Sequence, residues 1–220
     1  MMTVALTSAV SSTSVYRGLL DYFQSPAAQQ PRAIAHPDTT VNALSPEKSA
    51  SFRKAAVLIP VTRLCDGESH LVLTVRSANL KHHAGQISLP GGSTEPEDND
   101  AVATALRESE EEIGLEPNQV EILGQLGELI MPSGFRITPI VGLINNDLVF
   151  RACPEEVADV FQVPLALVLD PVSYRQSSYH YRDAERIVLE LHYEDYRIWG
   201  ATAAILHHLA LSVHVQDNQA

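Results

Sequence analysis

The chain has 220 residues, a formal net charge of −12, 45% hydrophobic residues and two cysteines. This length suits one domain with an extension, and the hydrophobic content is sufficient for a sizeable core. The acidic balance argues against general nucleic-acid binding and against adhesion to anionic membranes, because both need a basic surface. Two cysteines are too few for a disulfide framework or a cysteine metal site, which fits a reduced, cytoplasmic setting.

Residues 1–50 differ in composition from the rest of the chain. Within them, Val15–Phe23 has the apolar spacing of a short helix, and a stretch rich in Pro and Ala follows. The N-terminus lacks the positive region of a signal peptide, and no apolar run approaches the ~20 residues of a membrane span. We therefore expect an N-terminal arm over 1–50, a folded domain over 51–215 and a tail over 216–220.

Strands and helices alternate in the folded domain without a regular repeat. Short apolar runs bounded by turn residues predict strands, and apolar positions three and four apart predict helices. The predicted elements are strands at Ala55–Val61 and His70–Arg76 joined by a turn at Asp66-Gly67, a short strand at Gln86–Pro90, a helix at Ala101–Ile113, strands at Gln119–Ile130 and Ile137–Ile144, a strand before Pro164 with a short helix after it, a hairpin at 178–182 and 186–194, and an amphipathic helix at Gly200–Val213.

Capping residues define the central helix. Asp98, Asn99 and Asp100 can each accept hydrogen bonds from the unpaired N–H groups of a helix N-terminus, and Gly114 can end the helix in the left-handed conformation. Residues three and four apart then predict a buried, mostly apolar face, which consists of Val102, Ala105, Leu106, Ser109 and Ile113.

A second face of this helix is acidic. Glu108, Glu111 and Glu112 share it, whereas Glu110 points elsewhere. Like charges at this spacing repel one another, and a divalent cation would reverse the sign of that interaction. Carboxylate oxygens suit Mg²⁺ or Mn²⁺. Taken alone, however, the pattern is more commonly a solvated helix face.

Two neighbouring features support the metal interpretation. Arg107 stands four residues before Glu111 and can pin its carboxylate, and the Gly91-Gly92 turn can bring a backbone carbonyl near the same ion. Upstream, the interval 69–94 contains no carboxylate, and the basic or titratable side chains of Arg76, Lys81, His82 and His83 lie within it. A basic segment followed by an acidic helix predicts a site for a metal-bound polyphosphate.

The helix and its preceding turn resemble the Nudix box, which is Gly, five residues, Glu, seven residues, then Arg-Glu-apolar-x-Glu-Glu-x-Gly-apolar. Arg107–Leu115 fits residue for residue, apart from Ser109, which replaces an apolar or small residue. Counting from Gly92 puts Asp98 at the first acidic position, and counting back from the arginine puts Asn99 there. Both assignments stay open.

The upstream segment resembles the one that precedes the box in the coenzyme A pyrophosphatase branch of Nudix hydrolases. That branch shows Leu-Thr-x-Arg-Ser, a basic residue, His-x-Gly and Phe-Pro-Gly-Gly, with the same one-residue lengthening of the box. The matching residues are Leu73-Thr74, Arg76-Ser77, Lys81, His83, Gly85 and Leu89-Pro90-Gly91-Gly92. Lysine at 81 replaces the usual arginine, and leucine at 89 replaces the usual phenylalanine.

The resemblance implies a Nudix-type α/β/α sandwich, an α/β fold with a mixed β-sheet between helices, that hydrolyses a pyrophosphate bond with Mg²⁺ or Mn²⁺. The implied metal ligands are Glu108, Glu111, Glu112 and the carbonyl of Gly92. The implied substrate contacts are Arg76, Lys81, His83 and Gly85. The implied catalytic residues are Glu108, Glu112 and Arg107, with Arg107 orienting Glu111. Glu156 stands in a loop before an apolar strand that could swing a carboxylate over the site, so either Glu108 or Glu156 is the expected general base.

Coenzyme A or a derivative is the substrate that this branch implies, giving 4′-phosphopantetheine and adenosine 3′,5′-bisphosphate. An ADP-ribose or dinucleotide pyrophosphatase is the rival of the same class. A catalytically silent nucleotide sensor is the rival of another class, and the intact carboxylate set argues against it. The expected partner is a small-molecule diphosphate, with no nucleic acid and no membrane. The oligomeric state is left open, with a homodimer as one option.

Overall fold

A computed structural model describes residues 12–39, 50–181 and 184–217. The strands, in chain order, are β1 Arg53–Thr62, β2 His70–Arg76, β3 Ile87–Ser88, β4 Gly91–Ser93, β5 Glu121–Gln125, β6 Leu129–Met131, β7 Phe135–Ile144, β8 Val157–Pro164, β9 Arg175–Tyr181, β10 Ala184–Tyr193 and β11 Tyr196–Trp199. The helices are α1 Ser12–Gln24, α2 Pro26–Gln29, α3 Ala101–Ile113, α4 Leu165–Val168 and α5 Ala201–Asp217, with 3₁₀ turns at Pro117–Gln119 and Pro171–Ser173.

A mixed sheet forms the centre of the fold. Strands β1 and β7 pair in parallel over ten residues, and the other strand pairs of this sheet are antiparallel. β2 and β4 both pair with β1, β3 and β8 pair with β2, and β5 and β6 pair with β7. Strands β9, β10 and β11 form a smaller antiparallel sheet.

The two faces of the sheet pack into separate hydrophobic cores. Along β1, Ala56 and Leu58 lie in the core beneath α3, whereas Ile59 and Val61 lie in the core that contains α1 and α5. This alternation is the period of two that a strand buried on both faces must show. The expected α/β/α sandwich with a mixed sheet is confirmed.

The N-terminal helix joins the larger core. Tyr16, Leu19 and Tyr22 of α1 are buried there with residues of β2 and α5. The chain then crosses the sheet, where the Ile34 N–H donates to the Glu128 carbonyl at 3.0 Å. Of the predicted arm, residues 1–11 and 40–49 lie outside the described residues, as do residues 218–220 of the predicted tail.

Gln119–Ile130 was predicted as one strand, but the structure has two shorter strands there, β5 and β6. The N-terminal segment that crosses the sheet explains the break. A Cβ atom at Gly127 would lie 2.0 Å from the Arg32 carbonyl oxygen, so the N-terminal segment passes directly over this backbone. The strand therefore breaks into β5 and β6. Strand β11 was not predicted, and it extends the predicted hairpin into a three-stranded sheet. Residues 182–183, within the predicted hairpin, lie outside the described residues.

The helix predicted at Ala101–Ile113 is confirmed with the same bounds as α3. The turn predicted at Asp66-Gly67 is confirmed by reciprocal backbone hydrogen bonds of 2.9 Å between Cys65 and Glu68. No helix within residues 12–39, 50–181 and 184–217 combines the length and apolar character that a membrane crossing requires.

The packing of α1 predicts that it is an integral part of the domain. Leu19 is fully buried, so Leu19→Ala should lower the free energy of unfolding by about 2–5 kcal/mol, because it removes apolar contacts and leaves a cavity. Leu211→Ala is the matched control, since Leu211 on α5 is 43% exposed and should change stability by about 0.5 kcal/mol or less. Urea unfolding measures both. Equal stability of the two variants would show that α1 does not contribute to the core.

Candidate active site

The ends of α3 fix the direction of its carboxylates. The Asp100 side chain accepts a hydrogen bond from the Ala103 N–H at 2.8 Å, and Gly114 ends the helix with φ +67°. Asp100 is therefore the residue that caps this helix, among the three that the sequence allowed. Of the five residues predicted for the buried face, Ala105, Ser109 and Ile113 are buried, whereas Val102 and Leu106 are half-buried.

Ser109 fits its apolar surroundings because its hydroxyl donates to the Ala105 carbonyl at 2.6 Å. The departure of this residue from the box pattern is thus satisfied within the helix.

Glu112 is buried, which corrects the expectation that it stands on an open charged face. It is only 2% exposed, and its Oε2 accepts a hydrogen bond from the Gly91 N–H at 3.1 Å. Burial raises the pKa of Glu112 to about 7, against the opposing effects of the Gly91 N–H and Arg76. The charges of Glu108 and Glu156 add to the rise. The helical spacing alone did not reveal that β4 covers this carboxylate.

Glu108 lies directly over Gly92. A Cβ atom at Gly92 would be 2.5 Å from the Glu108 carboxylate, so only glycine leaves room for the acid at this place. Burial also raises the pKa of Glu108, although Arg107 opposes the rise, and the charges of Glu111 and Glu156 increase it further. Gly91 and Gly92, predicted as a turn, belong to β4 instead and lie beside two carboxylates that are crowded with negative charge.

Arg107 connects the turn before α3 to the acidic face. Its Nε and Nη2 donate to the two carboxylate oxygens of Asp98, each at 3.0 Å, and Nη2 also donates to the Ser93 carbonyl. These hydrogen bonds hold the pKa of Asp98 well below its usual range. Of the two residues left open at the first acidic position, Asp98 thus contacts the arginine, while Asn99 is exposed.

The other side of the Arg107 guanidinium faces the helix acids. Nη1 lies 3.1 Å from Glu108 Oε1 and 3.0 Å from Glu111 Oε2. The Glu111 side chain is 57% exposed and is turned towards this arginine. Arg107 therefore contacts Glu111, four residues later on the helix, and it contacts Glu108 as well.

As the side chains stand, no three His, Cys, Asp or Glu side chains of the described residues converge as a ready metal cluster. The chemistry of the group nevertheless fits a hard divalent cation. The charge of Glu156 raises the pKa of both Glu108 and Glu112, and the charge of Glu108 raises that of Glu112 further. Carboxylate oxygens are the ligands that Mg²⁺ and Mn²⁺ prefer. A cation would relieve the repulsion among these carboxylates.

Glu156 belongs to a loop that is tied to the end of α3. The Cys153 N–H donates to the Glu112 carbonyl at 2.9 Å, and the Glu156 N–H donates to the Cys153 carbonyl at 3.0 Å. On its other side, the Glu156 carbonyl accepts from the Ser77 N–H at 2.8 Å. The backbone is thus held from both sides, and the exposed Glu156 side chain stands near Glu108 and Glu112.

The basic residues surround a pocket of about 440 Å³ beside the acidic group. Its lining consists of Arg76, Asn79, Leu80, Lys81 and His82. Arg76 also reaches the acids, because its Nη1 lies 3.7 Å from Glu112 Oε1.

His83 and Gly85 lie in the same loop without lining this pocket. The Nδ1 of His83 is 2.9 Å from Gln86 Oε1, and the Gly85 N–H donates to the Arg76 carbonyl at 3.0 Å. His82 and Asn79 were missed as site residues. His82 was visible only as part of a basic interval, and nothing in the sequence marked Asn79.

The buried Glu112 carboxylate predicts a pH-dependent stability. Its native pKa of about 7 exceeds the ordinary value of 4.5, so its contribution to stability is fully present below pH 4.5 and is lost as the pH rises through 7. Glu112→Gln has no side chain that ionises at this position, so its free energy of unfolding does not fall for this reason as the pH rises. In EDTA, the variant should gain on the order of 3 kcal/mol relative to the wild type between those pH values. Urea unfolding across this range measures the difference, and parallel pH profiles would contradict the buried carboxylate.

The Arg107 contacts predict that Asp98 and Asn99 are not equivalent. Asp98→Ala leaves the arginine without its bidentate partner and should lower the free energy of unfolding by about 1–3 kcal/mol. Asn99→Ala, on the adjacent exposed residue, should have an effect of about 0.5 kcal/mol or less. Thermal unfolding of both variants provides the test. A larger loss from Asn99→Ala would place the acidic position of the box one residue later.

Comparison with known proteins gives the family. The Nudix domain matches residues 53–176. The protein named Uncharacterized Nudix hydrolase NudL from Photorhabdus laumondii is 45% identical over 172 residues, which cover 76% of this chain and 88% of that protein. The protein of the same name from Yersinia enterocolitica is 43% identical over 167 residues, which cover 76% and 85%.

Among solved structures, a MutT/nudix family protein from Enterococcus faecalis aligns with a TM-score of 0.47 and 13% identity, covering 98% of this chain and 76% of that one. The domain match and the two sequence relatives decide the assignment. The chain belongs to the Nudix hydrolase family of pyrophosphohydrolases, which act on nucleoside diphosphate derivatives and need a divalent metal ion.

Proposed function

We propose that this chain hydrolyses the pyrophosphate bond of coenzyme A or one of its derivatives, giving 4′-phosphopantetheine and adenosine 3′,5′-bisphosphate. The observation that carries the proposal is the basic pocket beside the carboxylates, with Arg76 in contact with both. A metal-dependent diphosphate hydrolase needs cations for phosphate oxygens next to acids for the metal. The choice of coenzyme A rests on the resemblance of the segment from Leu71 to Gly92 to that branch of the family.

The proposed metal ligands are Glu108, Glu111, Glu112 and the Gly92 carbonyl. When bound, Mg²⁺ or Mn²⁺ would neutralise the charge that develops on the phosphate oxygens and the leaving group. Arg107 keeps Glu108 and Glu111 in place through Nη1, while Asp98 fixes the arginine itself. The Gly91 N–H holds one Glu112 oxygen, so the carboxylate keeps a single orientation in its buried position.

The substrate phosphates are proposed to lie over Arg76 and Lys81, with His83 and Gly85 completing the loop around them. Water attacks one phosphorus, the bond from that phosphorus to the bridging oxygen breaks, and the proton of the water passes to a carboxylate. Glu108 and Glu156 are the two candidates for that carboxylate, because both stand beside Glu112. Glu156 is the more exposed of the two, and Glu108 is partly shielded by Arg107.

Substrate preference tests this proposal. Coenzyme A carries a 3′-phosphate that a basic pocket can bind, and a charge-assisted hydrogen bond to it corresponds to roughly ten- to a hundredfold in kcat/KM over the dephospho form. Lys81→Met should shrink that ratio and affect the dephospho form less. The measurement is kcat/KM for coenzyme A, dephospho-coenzyme A and ADP-ribose with Mg²⁺ or Mn²⁺, with products identified by mass spectrometry.

Each alternative gives a different result. If ADP-ribose is the best substrate of the wild type, the coenzyme A assignment fails while diphosphate hydrolysis stands. If nucleotides bind without turnover, the chain is a sensor. Glu112→Gln should lower the rate by on the order of a thousandfold. Glu110→Gln is the matched control, because Glu110 lines a separate pocket with Gly114 and Arg151 and should keep nearly full activity.

A further inference from the structure

The Arg76 side chain is buried in part and is only partly satisfied by its neighbours. Its Nη1 lies 3.7 Å from Glu112 Oε1, which is close enough for charge attraction but beyond a good hydrogen bond. Its Nε is buried and has no hydrogen-bond partner among the residues that the structure describes. An arginine has five N–H donors, and here the guanidinium stands beside an acid without binding it closely.

Hydrogen bonds hold the backbone of Arg76 on both sides. The Arg76 N–H donates to the Gln86 carbonyl at 2.9 Å, and its carbonyl accepts from the Gly85 N–H at 3.0 Å. The register between β2 and β8 shifts between Val75 and Arg76, and such a bulge redirects a side chain. The Arg76 side chain thus lines the pocket and also faces the Glu112 carboxylate, while its backbone is held by the sheet.

We propose that Arg76 is a positioning residue that couples substrate binding to metal binding. This inference rests on the metal site proposed above. Without substrate, the guanidinium serves as the counter-cation of Glu112 and opposes a divalent ion at the same carboxylate. A phosphate in the basic pocket offers two oxygens to the planar guanidinium, a bidentate pairing that Glu112 does not make at 3.7 Å.

Substrate phosphate thus draws the guanidinium away from Glu112, and the affinity of the acids for the cation rises. Because binding free energies are reciprocal, the bound cation also favours the phosphate-facing orientation of Arg76. The enzyme would therefore hold its metal most tightly when a diphosphate is present.

A permanent structural ion pair would have the opposite consequence. If Arg76 only held Glu112 in place, its removal would leave a poorly oriented carboxylate and would weaken metal binding. The direction of the change in metal affinity therefore distinguishes coupling from simple support.

The test is Mn²⁺ affinity in the absence of any phosphate, measured from the electron paramagnetic resonance signal of free Mn²⁺ at one fixed pH. Arg76→Gln removes the charge but keeps a polar side chain, and it should bind Mn²⁺ roughly tenfold more tightly than the wild type. Arg76→Lys keeps the charge and should stay within about threefold. Lys81→Met removes a cation from the same exposed pocket and should stay within about twofold.

The outcomes separate this inference from the proposed function. If Glu112→Gln binds Mn²⁺ as well as the wild type, the metal site itself is wrong and the inference falls with it. If Glu112→Gln binds poorly but Arg76→Gln binds no more tightly than the wild type, only the coupling role is overturned. Equal tightening by Arg76→Lys and Arg76→Gln would also overturn it, because the charge would not be the cause.

A second measurement addresses the substrate side. A non-hydrolysable diphosphate, α,β-methylene-ADP, is added at saturation, and the Mn²⁺ bound by free nucleotide is subtracted. The nucleotide should raise the Mn²⁺ affinity of the wild type by a larger factor than that of Arg76→Gln, so that the two loaded proteins differ by about twofold or less. An equal increase in both proteins would show that Arg76 does not transmit the presence of phosphate.

Discussion

The burial of one carboxylate, Glu112, is the constraint on which the rest of the site depends. An acid that is 2% exposed must be protonated, hydrogen-bonded or matched by a cation, because desolvation of its charge is unfavourable. Among the residues that the structure describes, its partners are one backbone N–H from Gly91 and a more distant guanidinium from Arg76. These partners compensate the charge only in part, which is why its pKa lies near neutrality. The remaining demand for positive charge is what makes this place suitable for a divalent ion.

The charges of the other acids are compensated by direct contacts with Arg107. Its guanidinium is shared among Asp98, Glu108, Glu111 and the Ser93 carbonyl, so it joins β4, the turn before α3 and α3 itself. A lysine could not replace Arg107 here, because its single ammonium group cannot make the parallel hydrogen bonds that a planar guanidinium makes. The site thus contains one well-satisfied arginine, which supports the scaffold, and one poorly satisfied arginine, which faces the pocket.

Sequence reasoning predicted α3 and its ends well because the signals are local. The caps of α3 and the spacing of its acids are contained within a short stretch, so capping rules and helical periodicity were enough to find them. It failed where distant segments meet. The burial of Glu112 depends on β4 folding back over α3, and the break at Gly127 depends on Arg32, which is far away in the chain. Neither contact leaves a periodic trace in the sequence.

The residues that line the pocket likewise fall into those that the sequence indicates and those that only the folded structure reveals. Lys81 was identified because a cation in a carboxylate-free interval is conspicuous, whereas Asn79 and His82 line the pocket only because the loop closes between Arg76 and Gln86. Loop closure of this kind is set by backbone hydrogen bonds, and residue type says little about it. The β11 strand was missed for a related reason, since its pairing with β10 depends on a tight turn at Glu194, whose φ is +49° without a glycine to announce it.

The parallel pairing of β1 with β7 has a consequence for how this protein acquires its site. Arg53–Thr62 must meet Phe135–Ile144 in register, and everything that forms the site except the Glu156 loop lies in the segment between them. Closing such a long segment is entropically unfavourable, so pairings of this kind form slowly and contribute late to folding. The strand β4, whose Gly91 covers Glu112, can dock only against the β1 edge opposite β7. Glu108, Glu111 and Glu112 already repel one another along the helix, but the desolvation of Glu112 beside Gly91 is imposed only when β4 docks on β1. The long-range pairing of the sheet, and not the helix by itself, therefore creates the buried charge that a cation can neutralise.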